Sequence, residues 1–204
     1  MNIDFSTLAA DQRYFLTTQV LIPRPIAWVM TRNINGSFNL APFSYFTAVC
    51  SDPALVLISL GKKPDGADKD TYINLRDRKY CVIHIASTDM LASLNESSRT
   101  FPGEVSEVEQ LGLETVSWSE AGDARLAGCR VAMACELYEV KDIGDLPQRL
   151  ILLKVNHLYV DEALVTTDAK GHMNIDARKM DPVARLGARE YASLGSITQL
   201  IRPV

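Results

Sequence analysis

Short apolar runs separated by polar turns characterise the first half of the chain. Residues 26–32 form an apolar run with strand character, residues 38–41 form another, and Asn35-Gly36 between them tolerates the positive φ of a tight turn. Residues 54–60 are apolar at nearly every position, and residues 80–86 repeat this pattern, which is typical of buried strands. We therefore expect a hairpin followed by two strands that lie deep in a sheet.

The second half of the chain changes from polar, helix-permitting sequence to long strands. Residues 89–111 are mostly polar, and Pro102-Gly103 divides them into two predicted helical pieces. Residues 129–140 alternate between two faces, which indicates a half-exposed antiparallel strand. A turn at 144–147 then leads to the predicted hairpin partner of this strand at 150–160.

Short helices are predicted at three other places. Ser6 can cap a helix that runs to about Gln19, a second helix is predicted over 71–77, and a helical turn starts at Pro182. The strands follow one another without the long crossover helices that a parallel sheet requires. The pattern therefore predicts a mainly β fold, an antiparallel barrel with helical insertions, formed by residues 1–204 as a single domain.

Composition and charge narrow the function classes. The chain has 204 residues, with 21 Lys plus Arg against 25 Asp plus Glu and a net charge of −4, which argues against a nucleic-acid partner. Hydrophobic residues make up 47% and charged residues 23%, as in folded globular proteins. No stretch approaches the ~20 apolar residues of a membrane span, and the N-terminus lacks the apolar core of a signal peptide. We expect a cytoplasmic protein without a membrane partner.

The cysteines, histidines and known motifs indicate no metal site and no catalytic side chain. The four cysteines form no C-x-x-C pair, so we expect reduced thiols. The three histidines lie far apart in sequence, and His84 sits inside an apolar run, which favours a core histidine over a catalytic one. The sequence contains no dinucleotide-binding or P-loop fingerprint, no nucleophile elbow and no zinc-protease motif.

The most distinctive stretch of the chain reads as strand, tight turn, strand and polar loop. Further characteristic positions follow after the next strand, at a predicted helix start and near the C-terminus. These positions are Pro23-Arg24-Pro25-Ile26-Ala27-Trp28-Val29-Met30-Thr31, Gly36, Asn39, Ala41-Pro42-Phe43-Ser44, Ser51-Asp52-Pro53, Ser59-Leu60-Gly61-Lys62, Lys69-Asp70-Thr71, Asn74, the strand from Tyr80 to Ile85, Arg185-Leu186-Gly187 and Tyr191.

This set of positions resembles the flavin reductase-like family. The resemblance implies a split β-barrel of Greek-key type that binds FMN and works as a homodimer. Bound FMN requires an anchor for its phosphate, polar partners for its ring and positive charge near the pyrimidine edge. Lys69, Asp70 and Thr71 offer a cation, a hydroxyl and the N–H groups of a helix N-terminus for the phosphate, although Asp70 and Thr71 could instead simply cap that helix.

The resemblance also implies partners for the flavin ring and ribityl chain. The loop candidates could equally form an ordinary turn, and Ser59, Leu60, Gly61 and Lys62 could equally form a solvated turn rather than meet the pyrimidine edge. Arg99 and Phe101 lie beside the ring or pack at a helix end, and Tyr191 contacts the flavin or a second subunit. The loop candidates are Thr31, Asn39, Ala41, Pro42, Phe43 and Ser44.

The function implied by the resemblance is that of a flavin-dependent oxidoreductase. It would pass hydride from NAD(P)H to flavin and electrons on to a second acceptor, which requires no acid or base side chain in the hydride step. One position departs from the family, because many of its reductases carry Gly-Asp-His where this chain has Gly144-Asp145-Leu146. The alternative is therefore an FMN-binding electron-transfer or flavin-holding protein that oxidises no nicotinamide.

Overall fold

The computed structural model describes residues 1–102, 105–144, 148–168, 170–201 and 203. The predicted break at Pro102-Gly103 and the turn at 144–147, which includes the departure from Gly-Asp-His, fall partly outside these residues. The described elements, in chain order, are α1 (Ala10–Val20), β1 (Arg24–Pro25), β2 (Ala27–Arg32), β3 (Phe38–Phe43), β4 (Phe46–Ser51), β5 (Ala54–Leu60), α2 (Asp70–Arg78), β6 (Tyr80–Ile85), α3 (Leu91–Glu96), α4 (Glu107–Gln110), β7 (Thr115–Trp118), β8 (Asp123–Leu126), β9 (Val131–Ile143), β10 (Gln148–Val160), β11 (Val165–Thr167), β12 (Met173–Ile175), α5 (Ala177–Met180), β13 (Ala184–Arg185) and β14 (Tyr191–Ala192).

The main sheet contains seven of the described strands, in the order β3-β2-β6-β9-β10-β5-β4, and every neighbouring pair is antiparallel. Its two edge strands, β3 and β4, follow each other in the chain and are joined only by Ser44 and Tyr45. The sheet must therefore curl until its edges approach, and the Ser59 N–H donates to the Tyr45 carbonyl at 2.8 Å. No β3–β4 ladder forms within the described ranges, so the barrel stays open along this seam. This arrangement confirms the predicted antiparallel split barrel.

Both faces of β2 are buried, whereas β4 at one edge of the sheet is mostly exposed. Inside the barrel, Val29, Ile58 and Ile83 belong to one hydrophobic cluster. On the outer face, Trp28 and Leu40 belong to a second cluster. Successive residues of β2 point into opposite clusters, because side chains alternate along a strand, so this strand reads as one continuous apolar run.

The prediction of a half-exposed strand over 129–140 is wrong for its first part. Ala132 and Ala134 are buried on the outer face, while Cys135 is buried inside the barrel. The outer face is covered by Leu94 and Leu126, which come from α3 and β8. Alternation along a strand reveals its two faces but does not show that a distant segment covers the second one.

Two predicted helix positions also differ. The Asp4 carboxylate accepts hydrogen bonds from both the N–H and the hydroxyl of Ser6, which closes a short turn and leaves α1 to begin at Ala10. The helical turn predicted from Pro182 is absent from the described structure. Residues Ala184–Arg185 instead form β13, which pairs with β1 on one side and β14 on the other. A three-stranded sheet thereby connects the C-terminal segment to the start of the barrel.

Candidate functional site

Two adjacent cavities contain most of the predicted site residues. The lysine cavity, of about 250 Å³, is named here for Lys63 and Lys69. The arginine cavity, of about 370 Å³, is named for Arg24 and Arg185. Pro42 lines both cavities. The predicted residues of the lysine cavity are Asn39, Ala41, Pro42, Phe43, Lys69, Asp70, Thr71, Arg99 and Phe101, and those of the arginine cavity are Pro42, Ser44 and Tyr191.

The other predicted residues line neither of these two described cavities. Thr31 is buried behind Asn39, and Leu60 is buried in the barrel. Ser59 and Gly61 lie against β10, where the side-chain amide of Gln148 is 3.0 Å from the Ser59 hydroxyl. Lys62 is exposed beyond the end of β5. These five residues therefore do not line either cavity, although Lys63, directly after Lys62, lines the lysine cavity.

A buried polar network forms the floor of the lysine cavity. The side-chain amide of Asn39 donates to the hydroxyls of Thr31, at 3.2 Å, and Thr71, at 3.0 Å. The amide of Asn74 donates to Thr31 at 3.1 Å and to the side-chain oxygen of Asn33 at 2.9 Å. Because buried amides are costly unless they are hydrogen-bonded, this network fixes α2 against β2 and β3. Thr31 and Asn39 thus position the helix.

The N-terminus of α2 opens into the lysine cavity without a side-chain cap. Lys69 occupies the N-cap position and makes no capping hydrogen bond. The hydroxyl of Thr71 accepts from Asn39, and the carboxylate of Asp70 forms an ion pair with Lys63 at 2.8 Å. The alternative that Asp70 and Thr71 simply cap the helix is therefore wrong. The Tyr72 N–H donates to the Lys69 carbonyl at 2.9 Å, whereas the N–H groups of Asp70 and Thr71 have no hydrogen-bond partner among the described residues, so this end can bind an anion.

Charge in the lysine cavity is arranged around one unpaired cation. Lys69 forms no ion pair among the described residues; its partial burial, and then repulsion from Lys63, lower its pKa. Burial raises the pKa of Glu107, whose carboxylate accepts from the Leu40 N–H at 2.8 Å. Arg99 is paired with Glu96 at 2.9 Å on the exposed side of its segment. The cavity therefore presents Lys69 to an incoming anion.

Several lining residues were not predicted from the sequence. Ser98 and Thr100 flank the predicted Arg99, and this short run of hydroxyl residues is the sequence feature from which they could have been predicted. Glu107 lies in a polar segment where nothing local indicates that it folds over β3. Arg24 belongs to the distinctive stretch but was given no role. It lines the arginine cavity, where its guanidinium is buried.

Neither a metal site nor a membrane span emerges from the described residues. Within these ranges, His, Cys, Asp and Glu side chains form no group of three or more that could hold a metal ion. His84 is buried, where Trp28 and Leu126 occupy its two ring nitrogens. Of the helices that the structure describes, none has the length and apolar character needed to cross a bilayer.

Comparison with known proteins identifies the family. A sequence model of the flavin reductase like domain matches residues 20–176. An uncharacterized protein of Halalkalibacterium halodurans is 32% identical over 207 residues, covering 100% of this chain and 97% of that protein. Nitrilotriacetate monooxygenase component B from Bacillus cereus has a TM-score of 0.89 at 30% identity over 98% of each chain. The 2-nitrobenzoate 2-nitroreductase NbaA from Pseudomonas fluorescens has a TM-score of 0.87 at 25% identity, covering 100% of this chain and 96% of that chain. The chain belongs to the flavin reductase-like family.

Proposed function

We propose that this protein is an FMN-binding oxidoreductase that takes hydride from NAD(P)H and delivers electrons to a second acceptor. The observation that carries the proposal is the lysine cavity of a flavin reductase-like chain, in which the uncapped N-terminus of α2, the hydroxyl of Thr71 and the unpaired Lys69 meet. Charge-assisted hydrogen bonds of this kind suit a phosphate. The donor set therefore fits the phosphate end of FMN.

The remaining lining residues support the same assignment. Ala41, Pro42, Phe43 and Ser44 run from the lysine cavity into the arginine cavity, and in our proposal they hold the ring and ribityl chain. Arg99 and Phe101 also line the lysine cavity, and in our proposal they lie beside the flavin. Bound flavin supplies the hydride-accepting chemistry, while the protein provides orientation and electrostatics. No side chain is assigned as a catalytic acid or base.

We further propose that residues 1–204 act as one domain within a cytoplasmic homodimer. Helix α1 supports the homodimer, because only Thr18 of this helix is buried. Val20 at its C-terminal end is exposed, as are Leu21 and Ile22 directly after it. A helix of 11 residues is marginal without packing on an apolar face, and a second subunit would supply that packing.

The alternative function is flavin-dependent electron transfer, or flavin holding, without nicotinamide oxidation. It is favoured by Leu146 at the position where many family reductases carry histidine. Absorption spectra of the purified protein, alone and with added FMN, test both functions. A protein that stays colourless and takes up no FMN contradicts both.

Anaerobic mixing of the flavin-loaded protein with NADH and NADPH separates the two functions. Bleaching of the flavin band is expected for the reductase, and an unchanged band would leave only the electron-transfer alternative. Lys69→Gln should weaken FMN binding at least about tenfold. Lys170→Gln removes the same charge from an exposed turn outside both cavities and should leave the affinity unchanged.

A further inference from the structure

The three-stranded sheet of β1, β13 and β14 aligns three side chains beneath the arginine cavity. Arg24 pairs directly with Arg185, and Arg185 pairs directly with Tyr191. Directly opposed residues of antiparallel strands project from the same face, and like charges in that position repel each other. All three residues line the cavity. The sheet therefore accumulates positive charge at one place in a chain whose net charge is −4.

The charge of Arg24 is buried without a carboxylate partner. Its side chain is 6% exposed and donates to the carbonyls of Thr18 and Leu21, each at 2.6 Å, and to that of Leu186 at 2.7 Å. Its Nε lies 3.4 Å from the Ser44 hydroxyl. Among the described residues, Arg24 forms no ion pair. Neutral carbonyls satisfy its donors but do not cancel its charge, so the field of the guanidinium extends into the cavity.

The guanidinium of Arg185 lies over an aromatic ring. Its guanidinium carbon lies 4.5 Å from the centre of the Tyr191 ring, and one terminal nitrogen donates to the Ala188 carbonyl. The Tyr191 hydroxyl donates to Asn95 at 3.0 Å, which fixes the ring. A planar guanidinium retains donors in a fork that matches a carboxylate. This part of the cavity presents a preformed cation.

Besides the two arginines, the described lining combines three aromatic residues with small polar and aliphatic ones. Tyr14 and Phe15 of α1 are two of the aromatic lining residues, and the described lining includes no Asp or Glu. Pro42 and Ser98 separate the arginine cavity from the lysine cavity and line both. A ligand here would therefore meet cations, ring faces and the neighbouring cavity at once.

We propose that the end of the arginine cavity formed by Tyr14, Arg185 and Tyr191 binds a planar aromatic carboxylate. The two opposed arginines favour a negative charge in the cavity, and the aromatic rings that line it favour a flat apolar body. A volume of about 370 Å³ admits a single-ring compound. The assignment rests on the proposed function, since the shared wall at Pro42 and Ser98 places this ligand next to the proposed flavin.

Isothermal titration with benzoate tests the ligand class. The protein is titrated with benzoate both as purified and after loading with FMN. If the protein does not bind FMN, the proposed function is contradicted. The titration of the protein as purified still tests whether the arginine cavity binds benzoate. We expect one benzoate per chain with a dissociation constant of about 1 mM or lower, in the presence of FMN. Benzamide, the neutral isostere, should bind at least about tenfold more weakly.

Variants of Arg185 locate the binding site. Arg185→Gln should weaken benzoate binding at least about tenfold. Arg185→Lys keeps the charge and should weaken benzoate binding less than Arg185→Gln does. Arg13→Gln removes an exposed arginine of α1 outside the cavity and should bind benzoate normally. Circular dichroism of each variant verifies folding. Three results with benzoate would overturn the proposal: benzamide binds as well as benzoate, FMN and benzoate displace each other, or benzoate does not bind to a protein that NADH saturates. Full benzoate affinity in a folded Arg185→Gln variant would overturn it as well.

Discussion

The side-chain amide of Asn39 donates a 3.0 Å hydrogen bond to the hydroxyl of Thr71, although 32 residues separate them in the chain. Both side chains are buried. The bond connects β3, an edge strand of the open barrel, to the first turn of α2. Because the same turn opens into the lysine cavity, the position of the proposed phosphate anchor depends on the barrel strands behind it.

Replacing Thr71 by Ala should weaken FMN binding by about 1–3 kcal/mol, since a hydrogen bond to a charged phosphate is lost. Asn39 keeps its bond to Thr31, so the floor of the cavity should persist. Thr71→Ser retains the hydroxyl and serves as the matched control. Fluorescence titration with FMN measures the affinities. Unchanged affinity in Thr71→Ala would mean that this hydroxyl serves only the buried network.

The affinity for FMN should fall as the pH rises above neutrality, beginning below the ordinary titration range of lysine. Burial and the neighbouring Lys63 lower the pKa of Lys69, so this side chain loses its positive charge earlier than a solvated lysine does. Riboflavin has no phosphate, and its affinity should depend less on pH. Parallel pH profiles for FMN and riboflavin would contradict a phosphate contact by Lys69, and Lys69→Gln should flatten the FMN profile.

The protein should lose stability as the pH falls below about 6.5, the ordinary histidine value, toward 3. Burial lowers the pKa of His84 to about 3, the effect opposed by the Trp28 carbonyl and reinforced by Arg125. The Leu126 N–H donates to its Nε2 at 3.0 Å, so the native ring is neutral. In this pH window the unfolded chain binds the proton and the folded chain does not, which favours unfolding.

The expected loss from His84 is about 3 kcal/mol between neutral pH and about pH 4. Urea unfolding at a series of pH values measures the free energy of unfolding. His84→Gln lacks the titrating group but retains an acceptor, so its stability should vary less steeply with pH across this window. Equal slopes for the two proteins would show that other groups control the acid sensitivity.

Replacing Gly187 by Ala should destabilise the contact between α1 and the C-terminal segment. A Cβ at this position would lie 2.7 Å from the side-chain oxygen of Gln19 and 3.1 Å from its Cα. Since the Gln19 backbone cannot rotate away, we expect a loss of about 1–3 kcal/mol in the free energy of unfolding.

Gly195→Ala is the matched control for Gly187, because a Cβ there meets nothing within 4 Å. Its free energy of unfolding should stay within about 0.5 kcal/mol of the parent value. Urea unfolding of both variants measures the difference. Equal stability of the two variants would show that α1 shifts freely and that the close approach of Gly187 to Gln19 is unimportant.

Local sequence determined most strands of the barrel, but not β4, which lies where the sequence predicted a polar loop. Continuous apolar runs predicted β2, β5 and β6, and Asn35-Gly36 predicted the hairpin between β2 and β3. The sequence also predicted that a helix starts at Lys69, Asp70 and Thr71, because helix boundaries depend on neighbouring residues. Resemblance to a family added the expectation that this start binds a phosphate.

Only the tertiary structure decided which surfaces are covered and which residues meet. Ala132 and Ala134 are buried because β8 and α3 pack over them, and Arg24 opposes Arg185 because β13 pairs with β1. The strand predicted over 129–140 and the helical turn predicted from Pro182 were wrong for the same reason. Side-chain periodicity records the geometry of one element, whereas pairing and coverage depend on the packing of segments far apart in the chain.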